Sequence, residues 1–196
     1  MKKGYCQIAC VIDRSGSMAS VQNDAIGGLN TFLKEQKQLP GKCDIHMVLF
    51  DHEYLVHYSG DIQDAQEFDA TTFVPRGSTA LLDAIGRTII DVGSKLDALV
   101  EDEKPEKVII TILTDGFENV SNEFSKKSVS ELIKQQQDKY QWEFVFLAAD
   151  EKAIQDAHQY GFAAGSVAKY AQGSIGTRNA FDSMSSTVTG SRTKGK

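Results

Sequence analysis

At 196 residues the chain has the length of one ordinary globular domain, enough to bury a core without disulfides or a structural metal. Hydrophobic residues make up 41% and charged residues 24%, with 3 prolines against 16 glycines, which excludes disorder, collagen-like repeats and a coiled coil. The 21 basic and 27 acidic residues leave a formal charge of −6, so nucleic acids and anionic membranes are not expected partners, whereas a cation is.

Cys6, Cys10 and Cys43 are an odd number at no zinc spacing and read as reduced, buried thiols. Met1-Lys2-Lys3 ahead of an apolar run imitates a signal peptide, but Gln7 interrupts the run, Asp13 stops it and no small-residue cleavage site follows. No apolar stretch approaches the ~20 residues that span a bilayer. The expected location is the cytoplasm, of a cell or of an infected host.

Tyr5 to Ile12 is an apolar run ending at an Asp/Ser/Gly cluster, the pattern of a central strand buried on both faces. Val21, Ala25, Ile26, Leu29, Phe32 and Leu33 recur at helical spacing until Pro40-Gly41. Asp44 to Phe50 and Tyr54 to Tyr58 are separated only by Asp51-His52-Glu53, too few residues for a parallel crossover, and predict an antiparallel hairpin at an edge. Asp61 to Arg76 is polar and irregular. After Gly77-Ser78-Thr79, a stripe of Leu82, Ile85, Ile89, Val92, Leu96 and Leu99 predicts a second helix.

Lys107 to Thr114 is continuous and β-branched, as expected of a parallel strand covered on both sides. Ser128 with Glu131 reads as a capping box for a helix to about Lys139, followed by a strand from Trp142 to Ala148. Asp150 is placed to cap the next helix and Gly161 to end it. Ser166 to Tyr170 reads as a short edge strand, and Phe181, Met184 and Val188 mark one face of a final helix. The expected fold is one α/β domain over residues 1–196, with a core at about 5–190 and a basic tail at 191–196. Its sheet is doubly wound and mostly parallel, with one antiparallel edge strand and helices on both faces.

In such a sheet ligands bind beyond the carboxyl ends of the strands, where strand order reverses. The loops there are Asp13-Arg14-Ser15-Gly16-Ser17, Gly77-Ser78-Thr79 and Asp115-Gly116. Two carboxylates and several hydroxyls with no neighbouring His or Cys are donors for a hard cation, Mg²⁺ or Mn²⁺, rather than zinc. The one-residue gaps between Asp13, Ser15 and Ser17 suit a tight loop turning alternate side chains to one centre, bent at Gly16, with Thr79 and Asp115 closing the ring.

Asp13-x-Ser15-x-Ser17, Thr79 and Asp115, in this order and after apolar strands, resemble the metal-ion-dependent adhesion site (MIDAS) of von Willebrand factor A (vWA) domains. The resemblance covers roughly residues 5 to 190. It implies that Ser15, Ser17 and Thr79 bind the metal through hydroxyls and that Asp13 and Asp115 bind directly or through water. It further implies a protein partner whose Asp or Glu carboxylate replaces one metal-bound water. The implied function is a non-enzymatic, metal-dependent interaction module, and the short, unsecreted chain is similar to stand-alone intracellular members in bacteria and phages. In integrin-type members metal binding is coupled to movement of the last helix, here around Phe181 to Val188.

Arg14, Met18, Phe117, Glu118 and Asn119 flank the site and are candidates for a partner-selecting rim. His46, His52, His57 and His158 are scattered and read as structural or surface residues, with His52 alone on a hairpin able to reach the metal face. The alternative function is a Mg²⁺-dependent phosphohydrolase, similar to the haloacid dehalogenase type. That type places a second Asp two residues after the first, where this chain has Ser15.

Overall fold

The structure, a computed structural model, describes residues 1–194. β1 (Lys2–Asp13) is buried from Tyr5 to its end and lies inside a six-stranded sheet of order β3-β2-β1-β4-β5-β6. β2 (Lys42–Phe50), β4 (Pro105–Thr114), β5 (Glu143–Ala148) and β6 (Val167–Lys169) run parallel to it. β3 (Tyr54–Asp61) pairs antiparallel with β2 at one edge, as the three-residue connection requires.

Side-chain alternation sends Ile8, Cys10 and Ile12 of β1 to one face and Ala9 and Val11 to the other. The first face is covered by α1 (Gln22–Gln38) and α5 (Ser174–Thr193), which approach so closely that any Cβ on Gly28 would collide with the Phe181 ring. α2 (Leu81–Asp97), α3 (Lys126–Tyr140) and α4 (Glu151–Gln159) cover the second face. All three cysteines are buried free thiols. No described helix is long and apolar enough to cross a membrane.

Several local features differ from the sequence reading. α3 starts earlier than the Ser128/Glu131 pair suggests. Ser125 is its N-cap, accepting from Ser128 N at 3.1 Å, while Ser128 Oγ accepts from Ser125 N at 2.9 Å. A hydroxyl reaches the cap amide as well as a longer carboxylate does, and Glu131 instead pairs with Lys127 at 3.9 Å. The stretch read as polar, Asp61 to Arg76, drives Ile62, Ala65, Phe68 and Phe73 into the core. α5 continues through Thr193 where a tail was expected from 191, because Lys107 donates to the carbonyls of Ser191 and Lys194 and Arg192 donates to Gln36 O at 2.7 Å. The rest of that expected tail, 195–196, lies outside the described residues.

Asp150 caps α4 as expected, accepting from Lys152 N and Ala153 N at 2.8 and 3.1 Å, and Gly161 follows the helix at φ +92°. His46 is buried, 3.0 Å from Ser59 Oγ, and the His57 ring stacks on Phe68. Both are structural.

Candidate metal centre

Strand order reverses between β1 and β4, since the chain leaves β1 for β2 on one side and returns from β3 to β4 on the other. Asp13 ends β1, and Asp115 follows β4 directly, so the two carboxylates flank the crevice at the switch point. Thr114 Oγ1 donates to Asp13 Oδ2 at 2.5 Å and spans that crevice.

The first loop folds back on its own carboxylate. Ser15 N donates to Asp13 Oδ1 at 2.7 Å, which brings Ser15 Oγ and Ser17 Oγ within 3.1 Å of each other. Ser17 Oγ donates in turn to Asp115 Oδ1 at 2.7 Å. The two carboxylates are therefore linked through the Ser15 amide and the Ser15 and Ser17 hydroxyls. Gly16 has no unusual dihedral; its N–H donates to Gly77 O at 3.1 Å, and a Cβ there would stand 3.4 Å from that oxygen, at van der Waals contact.

The same contact brings in the third loop. Thr79 is 4% exposed, and its Oγ1 lies 3.6 Å from where a Cβ on Gly116 would stand. Asn119 fixes its backbone from both sides, accepting from Thr79 N at 3.0 Å and donating to Thr79 O at 3.1 Å. Asp13, Ser15, Ser17, Thr79 and Asp115 are thus gathered by three loops at one end of the sheet.

The electrostatics are unbalanced. Asp13 is wholly buried and Asp115 half-buried, yet no Lys, Arg or His among the described residues pairs with either. Burial pushes the Asp13 carboxyl up to about 6, although the hydrogen bonds from Thr114 and Ser15 act to lower it. Burial likewise raises Asp115, against the hydrogen bond from Ser17. The donor set of carboxylate and hydroxyl oxygens fits a small hard dication and offers nothing to a soft one.

Next to this uncompensated pair stands a compensated one. Asp51, also wholly buried, follows β2 directly; its Oδ2 is 3.0 Å from both Arg14 Nε and Arg76 Nε. Arg14 Nε is an ion-pair partner only, since its N–H is not aimed at the carboxylate. Asp51 Oδ1 accepts from Glu53 N at 2.6 Å, and its carbonyl accepts from Ala80 N at 2.8 Å. It thereby joins the loop bearing Asp13 to the loop bearing Thr79. His52 Nδ1 lies 3.2 Å from Asp51 Oδ1, and its ring packs on Gly77, where it leaves no room for a Cβ.

The expected rim is only partly a rim. Met18 is fully buried in the core, and Arg14 is buried against Asp51. Glu118 turns inward, accepting from Leu82 N at 2.8 Å and Ser121 N at 2.6 Å, and Asn119 holds Thr79. Phe117 alone of the five is an exposed large apolar residue. Sequence reasoning missed Asp51 and Arg76. Asp51 occupies the same strand-end position that singled out Asp13 and Asp115, so extending that rule to β2 would have found it.

No protein-family model and no curated protein matches the sequence. Solved structures do match in fold. The pilus adhesin SpaC of Lactobacillus rhamnosus GG, in an open conformation, superposes with a TM-score of 0.67 at 14% identity over 96% of this chain, which spans only 30% of the adhesin. The vWF domain of the type V pili tip protein Mfa5 of Porphyromonas gingivalis gives 0.64 at 11% identity, covering 97% of each chain. A von Willebrand factor type A protein from Catenulispora acidiphila gives 0.59 at 14% identity over 91% of this chain and 41% of its own. The six-stranded, mostly parallel sheet with one antiparallel edge and flanking helices is the fold of von Willebrand factor A domains.

Proposed function

We propose that the chain is a non-enzymatic protein-interaction module that binds Mg²⁺ or Mn²⁺ at the switch-point crevice and, through that ion, a carboxylate of a partner protein. The observation that carries this reading is the buried Asp13 facing Asp115 with no cation among the described residues to balance them. Ser15, Ser17 and Thr79 would hold the ion through hydroxyls, with Asp13 and Asp115 binding directly or through water. When bound, the ion supplies an electrophilic position: two carboxylates neutralise the dication, and neutral hydroxyls leave it able to accept a further anion. The pilus adhesin and pilus tip protein of similar fold support a role in protein contacts.

A phosphohydrolase is not favoured. Ser15 stands where a second carboxylate would serve as acid and base, and its hydroxyl is engaged with Ser17.

Titration calorimetry of wild type and Asp13→Ala with Mg²⁺ and Mn²⁺ tests the metal half. Wild type is expected to bind and the variant to lose binding by at least about a hundredfold. Equal, negligible heats for both proteins would defeat it. Capture of partners from the native host with and without EDTA tests the second half, which fails if every captured protein survives the chelator.

A further inference from the structure

The loop leaving β4 exposes two apolar side chains on either side of an inward-turned acid. A solvated loop turns apolar residues in and polar ones out. Here Phe117 is 38% exposed and Val120 41% exposed, while Glu118 between them accepts from Leu82 N, Val120 N and Ser121 N at 2.8, 2.9 and 2.6 Å. Asp83 on α2 accepts from Asn122, Glu123 and Phe124 N–H groups at 3.0, 3.0 and 2.8 Å. The loop is therefore fixed to α2 by the carboxylates of buried Asp83 and half-buried Glu118, and Phe117 and Val120 are held outward on that frame. A partner docking there loses little freedom by ordering it.

A second feature runs against local preference at the same place. Lys152 lies in the first turn of α4, where the positive end of the helix dipole disfavours a cation. Its ammonium stands 4.2 Å from the centroid of the Phe117 ring and forms no ion pair among the described residues. The charge rests on the ring face and has no anionic partner among the described residues. It adjoins an exposed aromatic that follows Asp115 by two residues, a span of about 7 Å in extended chain.

We propose that Phe117, Val120 and Lys152 form a recognition surface for a protein segment carrying an apolar side chain beside the carboxylate that meets the metal, followed by a second acidic residue. The proposal rests on the metal reading above and adds the chemistry of the neighbouring positions. The apolar side chain covers Phe117 and Val120, and the second acid pairs with Lys152. Covering the ring also removes water from the Lys152 ion pair, which strengthens it.

Fluorescein-labelled peptides with one central Glu provide the probe, with Leu or Ala at the next position and Glu or Gln after it. Binding is followed by polarisation in excess Mg²⁺. On wild type, Leu is expected to improve affinity over Ala, and the second Glu over Gln, each by roughly fivefold or more. Phe117→Ala is expected to erase the Leu advantage and Lys152→Ala the Glu advantage, and both variants keep sensitivity to EDTA. Equal binding of the Leu and Ala peptides, survival of the Leu advantage in Phe117→Ala, or no binding of any peptide overturns the proposal. A Leu advantage that depends on Phe117 but is indifferent to EDTA overturns the metal reading and leaves the surface standing.

Discussion

Asp13 and Asp51 end neighbouring parallel strands, are both wholly inaccessible, and meet opposite surroundings. Asp51 has two guanidinium groups at 3.0 Å and the backbone N–H of Glu53 at 2.6 Å. Asp13 has an amide, a hydroxyl and a second carboxylate nearby. A buried charge is tolerable only when it is paired or neutralised. Among the described residues the pairing is supplied at one strand end and not at the next, which sets a paired structural carboxylate apart from the one that the proposed ion would balance. The structural one also holds the other in place, because Arg14 sits between Asp13 and Ser15 and Arg76 is three residues from Thr79.

The comparison breaks if removing the two carboxylates has the same sign. Asp51→Ala strands the buried Arg14 charge and frees Arg76, and is expected to cost about 3–5 kcal/mol in urea unfolding. Asp13→Asn is expected to stabilise the metal-free protein at neutral pH. The Asp13 carboxyl rises from 3.8 to about 6 on folding, which corresponds to roughly 3 kcal/mol as an upper bound on the gain. The sign follows from proton linkage. With its folded value raised, Asp13 contributes stability that is complete below about pH 3.8 and is lost as pH rises through about 6. Metal-free wild type should therefore lose stability relative to Asp13→Asn across that window. A constant difference between the two unfolding profiles would remove Asp13 as the cause.

Adding the proposed cation sharpens the same contrast. At a Mg²⁺ concentration a hundred times its dissociation constant, wild type is expected to gain about 2.7 kcal/mol, and Asp13→Asn essentially nothing. Thermal unfolding with and without the ion measures both, and an equal gain would place the ion elsewhere.

The sheet, and the convergence of Asp13, Ser15, Ser17, Thr79 and Asp115 at one end of it, were legible because each depends on local pattern. Continuous apolar runs mark buried parallel strands, and a polar cluster after a strand marks the ligand-binding end. What stayed hidden depends on long-range partners. The role of Asp51 appears only when residues 14, 53 and 76 converge on it, and the inward turn of Glu118 only when α2 supplies its N–H groups. Phe68 and Phe73 were missed because single apolar residues in a polar stretch have no period to read. The start of α3 was misplaced because two serines three apart satisfy the same cap geometry as the expected Ser and Glu.

The smallest expected effect lies where the two strand ends touch. Gly77 adopts φ +66°, accepts at its carbonyl from the Gly16 amide, and packs its α-carbon against His52. Gly77→Ala is expected to lose about 1–2 kcal/mol from the left-handed backbone alone, with a further loss from collision with the imidazole. His52→Ala removes the collision and leaves the backbone cost, so the double variant separates the two. If the loop contact also positions Thr79, metal affinity should fall in Gly77→Ala and recover in part when His52 is truncated. Calorimetry on the single and double variants reads that recovery directly. Metal affinity unchanged in Gly77→Ala would show that the Asp51 side of the face does not govern the Asp13 side.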